Sequence, residues 1–99
     1  MSATKYQIFL KTVECGSFTK AAEELNFSQS GISHAISSLE EELGVTLLSR
    51  NRGGVTLTGD GRALLPQIQQ LCTEYHRLAQ QVIQHQLTAS QAWTFFWAF

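Results

Sequence analysis

Two helix stop-and-start signals lie close together near the beginning of this chain, Gly16-Ser17 and Asn26-Phe27-Ser28. A glycine closes a helix, and a serine just beyond it caps the next by accepting from free N–H groups at the new helix start. Between the two signals there is room only for a short helix, residues 18–25, so three helices must turn tightly on one another. The apolar pattern agrees. Tyr6, Phe9, Leu10 and Val13 follow the i, i+3, i+4, i+7 stripe of an amphipathic helix over residues 4–15. Phe18, Ala21, Ala22 and Leu25 face inward on the second helix, and the two alanines let a neighbouring helix approach closely. Ser28 caps the third helix, with Phe27 and Ile32 placed for a hydrophobic staple. Ile32, Ile36, Leu39 and Leu43 form its apolar stripe, and Gly44 stands at C′, where a helix ends.

A two-stranded ribbon follows. Residues 45–50 and 55–57 flank Asn51-Arg52-Gly53-Gly54, where Gly53 and Gly54 can supply the positive φ of a reversal. Thr58 then caps a long helix, with Asp60 in its first turn complementing the helix dipole. Leu64, Ile68, Leu71, Tyr75, Leu78 and Val82 alternate spacings of four and three, a heptad seam. The first turn of this seam is expected to pack on its own domain. Beyond Tyr75 the helix outruns a domain of this size, so the seam predicts a homodimer. Pro66 removes one donor and predicts a mild kink, and the helix is expected to fade over residues 85–88. The fold class is mainly α with a small β-ribbon. It divides into a compact domain over residues 1–58, a linker or dimerisation helix over 59–88, and an aromatic tail over 89–99. Trp93, Phe95, Phe96, Trp97 and Phe99 give that tail no clean amphipathic period and no assigned role.

Composition excludes several classes. With 43% apolar residues in 99, the chain is neither disordered nor built for a membrane, and no apolar run approaches the roughly 20 residues of a span. The start, MSATKYQIF, lacks a signal-peptide pattern, which makes the cytoplasm the expected compartment. Cys15 and Cys72 show no metal or redox spacing and are expected to be buried free thiols. His34, His76 and His85 have no carboxylate or cysteine partner at a useful spacing, and the Gly-Gly pair is turn chemistry. No catalytic residue, metal site or cofactor is therefore expected.

A net charge of −1 argues against a polyanionic partner, but the distribution does not. Residues 23–43 carry five glutamates and no lysine or arginine. The cations cluster on either side, as Lys5, Lys11 and Lys20 before and Arg50, Arg52 and Arg62 after. On the third helix Gln29, Ser30, Ser33, His34 and Ser37 fall opposite the apolar stripe. Their side chains are mostly short, so this face can come very close to another surface. Glu40, Glu41 and Glu42 occupy the far end, as expected if only the N-terminal half approaches a polyanion. The start of the helix at Ser28 offers free N–H groups to a phosphate, and Gln29 can pair with adenine through two hydrogen bonds. A short helix, a tight turn and a second helix with a polar first half match a helix-turn-helix. A ribbon carrying Arg50 and Arg52 adds a wing that can follow a phosphate backbone or enter a narrow minor groove. Each of these features alone is also what an ordinary solvated surface shows.

The run "SFTKAAEELNFSQSGISHAISSLEEELGVTLLSR", followed by "GVTLTGDG", closely resembles the N-terminal DNA-binding domain of LysR-type transcriptional regulators. The resemblance covers residues 6–66 and continues less specifically along the linker helix. It implies a winged helix-turn-helix that binds duplex DNA sequence-specifically as a dimer, in the bacterial nucleoid. By position it implies recognition-helix contacts from Ser28, Gln29, Ser30, Ser33 and His34. Ser17 and Lys20 would stand near phosphates, Arg50 would be the wing arginine, and Arg52 matches a variable basic position. Ser37 is a weaker candidate further down the helix. Three positions depart from the pattern: Gly31 replaces alanine or proline, His34 replaces a longer base, and Leu48 replaces phenylalanine. The resemblance also implies a ligand-binding domain after the linker helix. No such segment follows here, so no small-molecule effector is expected. An alternative function is a protein-interaction module that forms mixed dimers with intact family members, or a non-functional truncated fragment.

Overall fold

The computed structural model describes the backbone of residues 3–98 and the side chains of residues 4–85. The elements run α1 (Ala3–Cys15), α2 (Phe18–Leu25), α3 (Gln29–Leu43), β1 (Leu48–Asn51), β2 (Gly54–Leu57) and α4 (Gly59–Ala98). Both serine caps form as expected. Ser17 accepts from the Lys20 N–H, and Ser28 accepts from the Gly31 N–H at 3.0 Å. Asn26 closes α2 with φ 58°, the left-handed conformation that asparagine tolerates better than most residues. Gly44 closes α3 with φ 72°.

The three short helices enclose one core. Phe9, Ile32, Leu39 and Leu47 are wholly excluded from solvent, with Phe18, Ala21, Ala22 and Ile36 around them. The buried face of α1 is wider than the four-residue stripe, because Ile8 and Thr12 are buried as well. Thr12 tolerates this by donating its hydroxyl to the Ile8 carbonyl at 2.7 Å. One residue of the expected apolar stripe and the expected staple residue remain exposed. Leu43, at the end of α3, is 36% exposed, and Phe27 is 47% exposed, so it does not join buried Ile32 beneath the surface.

The ribbon is shorter than the alternation suggests. Residues 45–47 are not strand: the Val45 N–H bonds back to the Glu40 carbonyl, continuing the helix end, and β1 begins only at Leu48. The strands pair antiparallel, with Leu48 opposite Leu57, Arg50 opposite Val55 and Asn51 opposite Gly54. Of the two tip glycines only Gly54 has positive φ, at 122°. It also lies against the α1–α2 turn, where a Cβ would stand 2.5 Å from the Gly16 carbonyl oxygen, and the next N–H, of Val55, donates to that oxygen. The wing is therefore fastened to the turn that starts α2.

Thr58 caps α4 as expected, accepting from the Gly61 N–H at 3.0 Å and donating to the Thr46 carbonyl. The 40 residues of α4 include Pro66 and continue through residues 85–88 without the expected ending. At about 1.5 Å per residue this helix is about 60 Å long, which sets the 66 Å long axis of the molecule. Its first turns pack on the winged domain. Ile68, a dimer-seam position by the heptad pattern, lies instead in the core with Cys72, and Leu64, in the first turn expected to pack on its own domain, packs against that core. The exposed part of the seam starts at Leu71 and includes Tyr75, Leu78 and Val82, with Ile83 beside it. The aromatic side chains of the tail lie outside the described residues. Both cysteines are free, but only Cys72 is buried. Cys15 is half-exposed, its thiol donating to Glu24 at 3.4 Å.

Candidate nucleic-acid interface

The start of α2, the first half of α3 and the wing meet on one side of the domain. Their contacts show how. Gln29, the first residue of α3, donates from its side-chain Nε2 to the Thr19 hydroxyl of α2 at 3.0 Å. Arg50 of β1 reaches back across the sheet edge. Its guanidinium donates to the Ser33 hydroxyl at 2.5 Å and stacks 4.0 Å above the ring of Phe18. One residue from each of the three elements is thus joined around Arg50. The cation–π contact contributes about 0.5–1 kcal/mol at an exposed site.

The partners of Arg50 are a hydroxyl and an aromatic ring, both neutral. Its positive charge is held in place without being cancelled. The other cations divide accordingly. Lys5 donates to Ser38 at 2.7 Å and lies 3.9 Å from Glu42, while Lys11 pairs with Glu14 and Glu24 at 3.4 and 3.3 Å. These two lysines of the first basic cluster are spent on acids. Lys20, Arg50 and Arg52 are exposed around the helix-turn-helix and wing, and among the described residues they are not members of the ion pairs above. Folding therefore sorts the charge: acids take up Lys5 and Lys11, while Lys20, Arg50 and Arg52 stand exposed beside α3 outside the ion pairs above.

The polar residues expected on α3 keep their face. Ser28, Gln29, Ser30, His34 and Ser37 are exposed and Ser33 is half-buried beneath Arg50. The Ser28 and Ser30 hydroxyls lie 3.3 Å apart at the helix start. Ser37 is at the margin, lining a shallow depression with Glu40, Glu41 and Gly44. Ser17 is half-buried as the α2 cap. At the tip of the wing the Asn51 side chain accepts from the Gly53 N–H at 3.0 Å, leaving Arg52 at the outermost position.

Two residues with clear positioning roles are not legible from the pattern. Thr19, between the expected contacts Ser17 and Lys20, is the partner of Gln29. By pattern Glu40 is only an acid that marks the limit of groove contact. Its carboxylate instead accepts the backbone N–H groups of both Leu47 and Leu48, at 2.6 and 3.1 Å. It ties the chain entering the wing to α3, beside the Val45–Glu40 backbone bond and the Arg50–Ser33 contact. The single signal available was the position of Glu40, four residues before the helix-ending glycine.

Three shifted groups, Lys11, Cys15 and Glu24, meet at the junction of α1 and α2. The Cys15 thiol and the Lys11 ammonium hold the Glu24 carboxyl below its usual range, in that order of importance. Glu24, followed by Glu14, raises Lys11. Desolvation first, then Glu24, pushes the Cys15 thiol up, away from thiolate reactivity. Burial raises Cys72 as well.

Three tightly turned helices, a two-stranded wing and a long projecting helix define a winged helix-turn-helix protein. More narrowly, residues 4–62 match the model of the bacterial regulatory helix-turn-helix proteins of the lysR family, and the chain belongs to that family of regulators. It is 41% identical over 81 residues to the uncharacterized HTH-type transcriptional regulator YvbU of Bacillus subtilis (strain 168), an alignment covering 81% of this chain and 28% of that protein. The chain thus spans little more than a quarter of the relative's length. Solved structures agree. The CbnR DNA-binding domain in its DNA complex superposes with a TM-score of 0.76 at 31% identity, covering 82% of this chain and 93% of that one. The BenM DNA-binding domain in complex with catB site 1 DNA gives a TM-score of 0.76 at 33% identity, covering 83% and 92%. Among the described residues no helix is long and apolar enough to cross a membrane.

Proposed function

We propose that this chain binds duplex DNA sequence-specifically and serves as the DNA-binding part of a transcriptional regulator of the bacterial cytoplasm, at the nucleoid. The N-terminal half of α3 enters the major groove. Gln29, Ser30, Ser33 and His34 face the base edges there, and Ser28 presents the helix start to a phosphate. Ser17 and Lys20 contact the backbone beside it. Arg50 and Arg52 bring the wing to the flanking phosphates or minor groove, while Ser37 marks the far limit of contact.

The observation that carries this reading is the sorting of charge. A polyanion needs cations whose field is not cancelled, around a face short enough to approach. Arg50 meets that condition because its contacts are neutral. The relatives solved with DNA support the same orientation of the fold.

The protein acts as a homodimer in this reading, through Leu71, Tyr75, Leu78 and Val82 of α4, which are 41%, 47%, 59% and 45% exposed in a single copy. A run of this kind on a helix that projects beyond its domain is what a partner helix covers. The alternative, a module that forms mixed dimers with intact family members, rests on the modest number of basic residues and the acidic end of α3. That support weakens once Glu40 is occupied by wing amides and Glu42 lies beside Lys5.

Fluorescence anisotropy with labelled duplex tests the reading. The logarithm of the affinity should fall linearly with log salt, with a slope of about 0.9 per phosphate neutralised. Arg50→Ala should weaken binding to all sequences and reduce that slope by about 1. Ser33→Glu should abolish binding, since it neutralises the wing arginine and sets a carboxylate among phosphates. Full affinity in Ser33→Glu, or an unchanged slope in Arg50→Ala, contradicts the placement.

A further inference from the structure

Gln29 is the residue on α3 best suited to reading a base, yet a primary amide on a flexible side chain is a poor reader by itself. It has two donors and an acceptor, and it can turn either edge to the groove. Pairing with adenine requires the carbonyl oxygen and one N–H to be presented together, toward N6 and N7 of the base. Something must hold the amide in that sense before the DNA arrives.

We propose that Thr19 is a positioning residue that fixes the Gln29 amide for recognition of an A·T base pair. This inference rests on the DNA-binding reading given above. The Gln29 Nε2 donates one of its two hydrogens to the Thr19 hydroxyl oxygen at 3.0 Å. That leaves the second N–H and the carbonyl oxygen Oε1 for a base. The hydroxyl is itself held on a stable platform. Thr19 lies in the first turn of α2, next to Phe18, which is buried in the core, and Ser17 caps that turn through the Lys20 N–H. The contact joins the two helices of the helix-turn-helix at their facing ends, ten residues apart in sequence. Both side chains are exposed, so the pair is not required to fill the core. It sits where its geometry matters to an incoming duplex.

The experiment compares Thr19→Val, which keeps the shape and removes the acceptor, with Thr19→Ser, which keeps the acceptor. Each is measured on a selected operator and on operators substituted one base pair at a time. Gln29→Ala first identifies the base pair that Gln29 reads. At that pair the parent should prefer A·T by about tenfold or more, the discrimination of a two-bond amide–adenine contact. Thr19→Val should lose most of this preference while its affinity for the other substituted operators changes less than about threefold. Thr19→Ser should keep the preference, and Thr19→Val should add nothing in the Gln29→Ala background. An equal loss on every operator would make Thr19 a phosphate contact only, and a preference unchanged in Thr19→Val would remove its role altogether. Either result overturns the proposal and leaves DNA binding standing. Absence of binding by the parent chain would instead overturn the function on which it rests. Urea midpoints of the variants, expected within experimental error of the parent, separate these outcomes from misfolding.

Discussion

Replacing Glu40 should uncouple the wing from α3. Its Oε2 accepts two backbone N–H groups, from Leu47 at 2.6 Å and from Leu48 at 3.1 Å. Hydrogen bonds to a charged acceptor contribute about 1.5–3 kcal/mol each, and a donor left without a partner in a buried place costs about 1–3 kcal/mol. Glu40 is half-exposed, so water can replace part of what is lost. Leu47, whose N–H is the closer donor, has no solvent exposure. Glu40→Ala should therefore destabilise the domain by about 2–4 kcal/mol, most of it from the Leu47 donor. Glu40→Gln retains an oxygen acceptor without the charge and should lose about half as much. Urea unfolding followed by circular dichroism at fixed protein concentration measures both; with a slope near 1 kcal/mol per molar for a domain of this size, the alanine midpoint should fall by about 2 M or more. A loss below about 0.5 kcal/mol in Glu40→Ala would show that the carboxylate does not anchor the wing. A glutamine variant as damaged as alanine would show that charge, not geometry, is the whole effect.

Gly61→Ala tests the seat of α4: a Cβ there would run into the Leu47 carbonyl. Although alanine is the better helix former by about 1 kcal/mol, the variant should lose at least about 2 kcal/mol in urea unfolding. Leu78→Glu tests the seam. Leu78 is 59% exposed in one copy, so the domain itself should unfold as before, while a carboxylate buried between two helices should raise the dimer dissociation constant at least about a hundredfold by equilibrium sedimentation. The α1–α2 junction predicts a pH dependence. The lowered Glu24 carboxyl contributes stability that is present above the ordinary carboxylate range and is lost as pH falls through its depressed value. Lys11→Met should therefore melt at a lower temperature than the parent at neutral pH, and the difference should vanish in acid. Because these groups are exposed, the difference should also shrink in high salt.

How much could be read in advance depended on the range of the interaction. Ser17, Ser28, Gly44 and Thr58 act on N–H or C=O groups within a few residues, and their roles as helix boundaries followed from position. The helix-turn-helix and its polar face were legible for the same reason, since periodicity alone opposes Ser33 and His34 to Ile32 and Ile36. What escaped was set by tertiary contact. The heptad pattern placed Leu64 and Ile68 in the seam with Leu78, because a stripe does not say which neighbour covers it. The winged domain packs α1 and β2 on the start of α4, so that Ile68 is buried in the core and Leu64 lies against it. The acids of α3 read as one block, whereas the fold assigns Glu40 to wing amides and Glu42 to Lys5. Lys5 and Lys11 read as part of a basic cluster until their partners, distant in sequence, were visible. The pairing of Arg50 with Ser33 and Phe18 spans 17 residues to the one and 32 to the other, beyond any local rule.

The most direct test is selection of bound duplexes by the 99-residue chain from a random pool, followed by sequencing of the enriched DNA. A dimeric winged helix-turn-helix reading bases through α3 predicts an enriched inverted repeat. Its half-sites should be centred about one helical turn, or a multiple of it, apart, and enrichment should collapse with Ser33→Glu. A pool that stays random after repeated rounds at low salt, or one enriched equally well by Ser33→Glu, would contradict it.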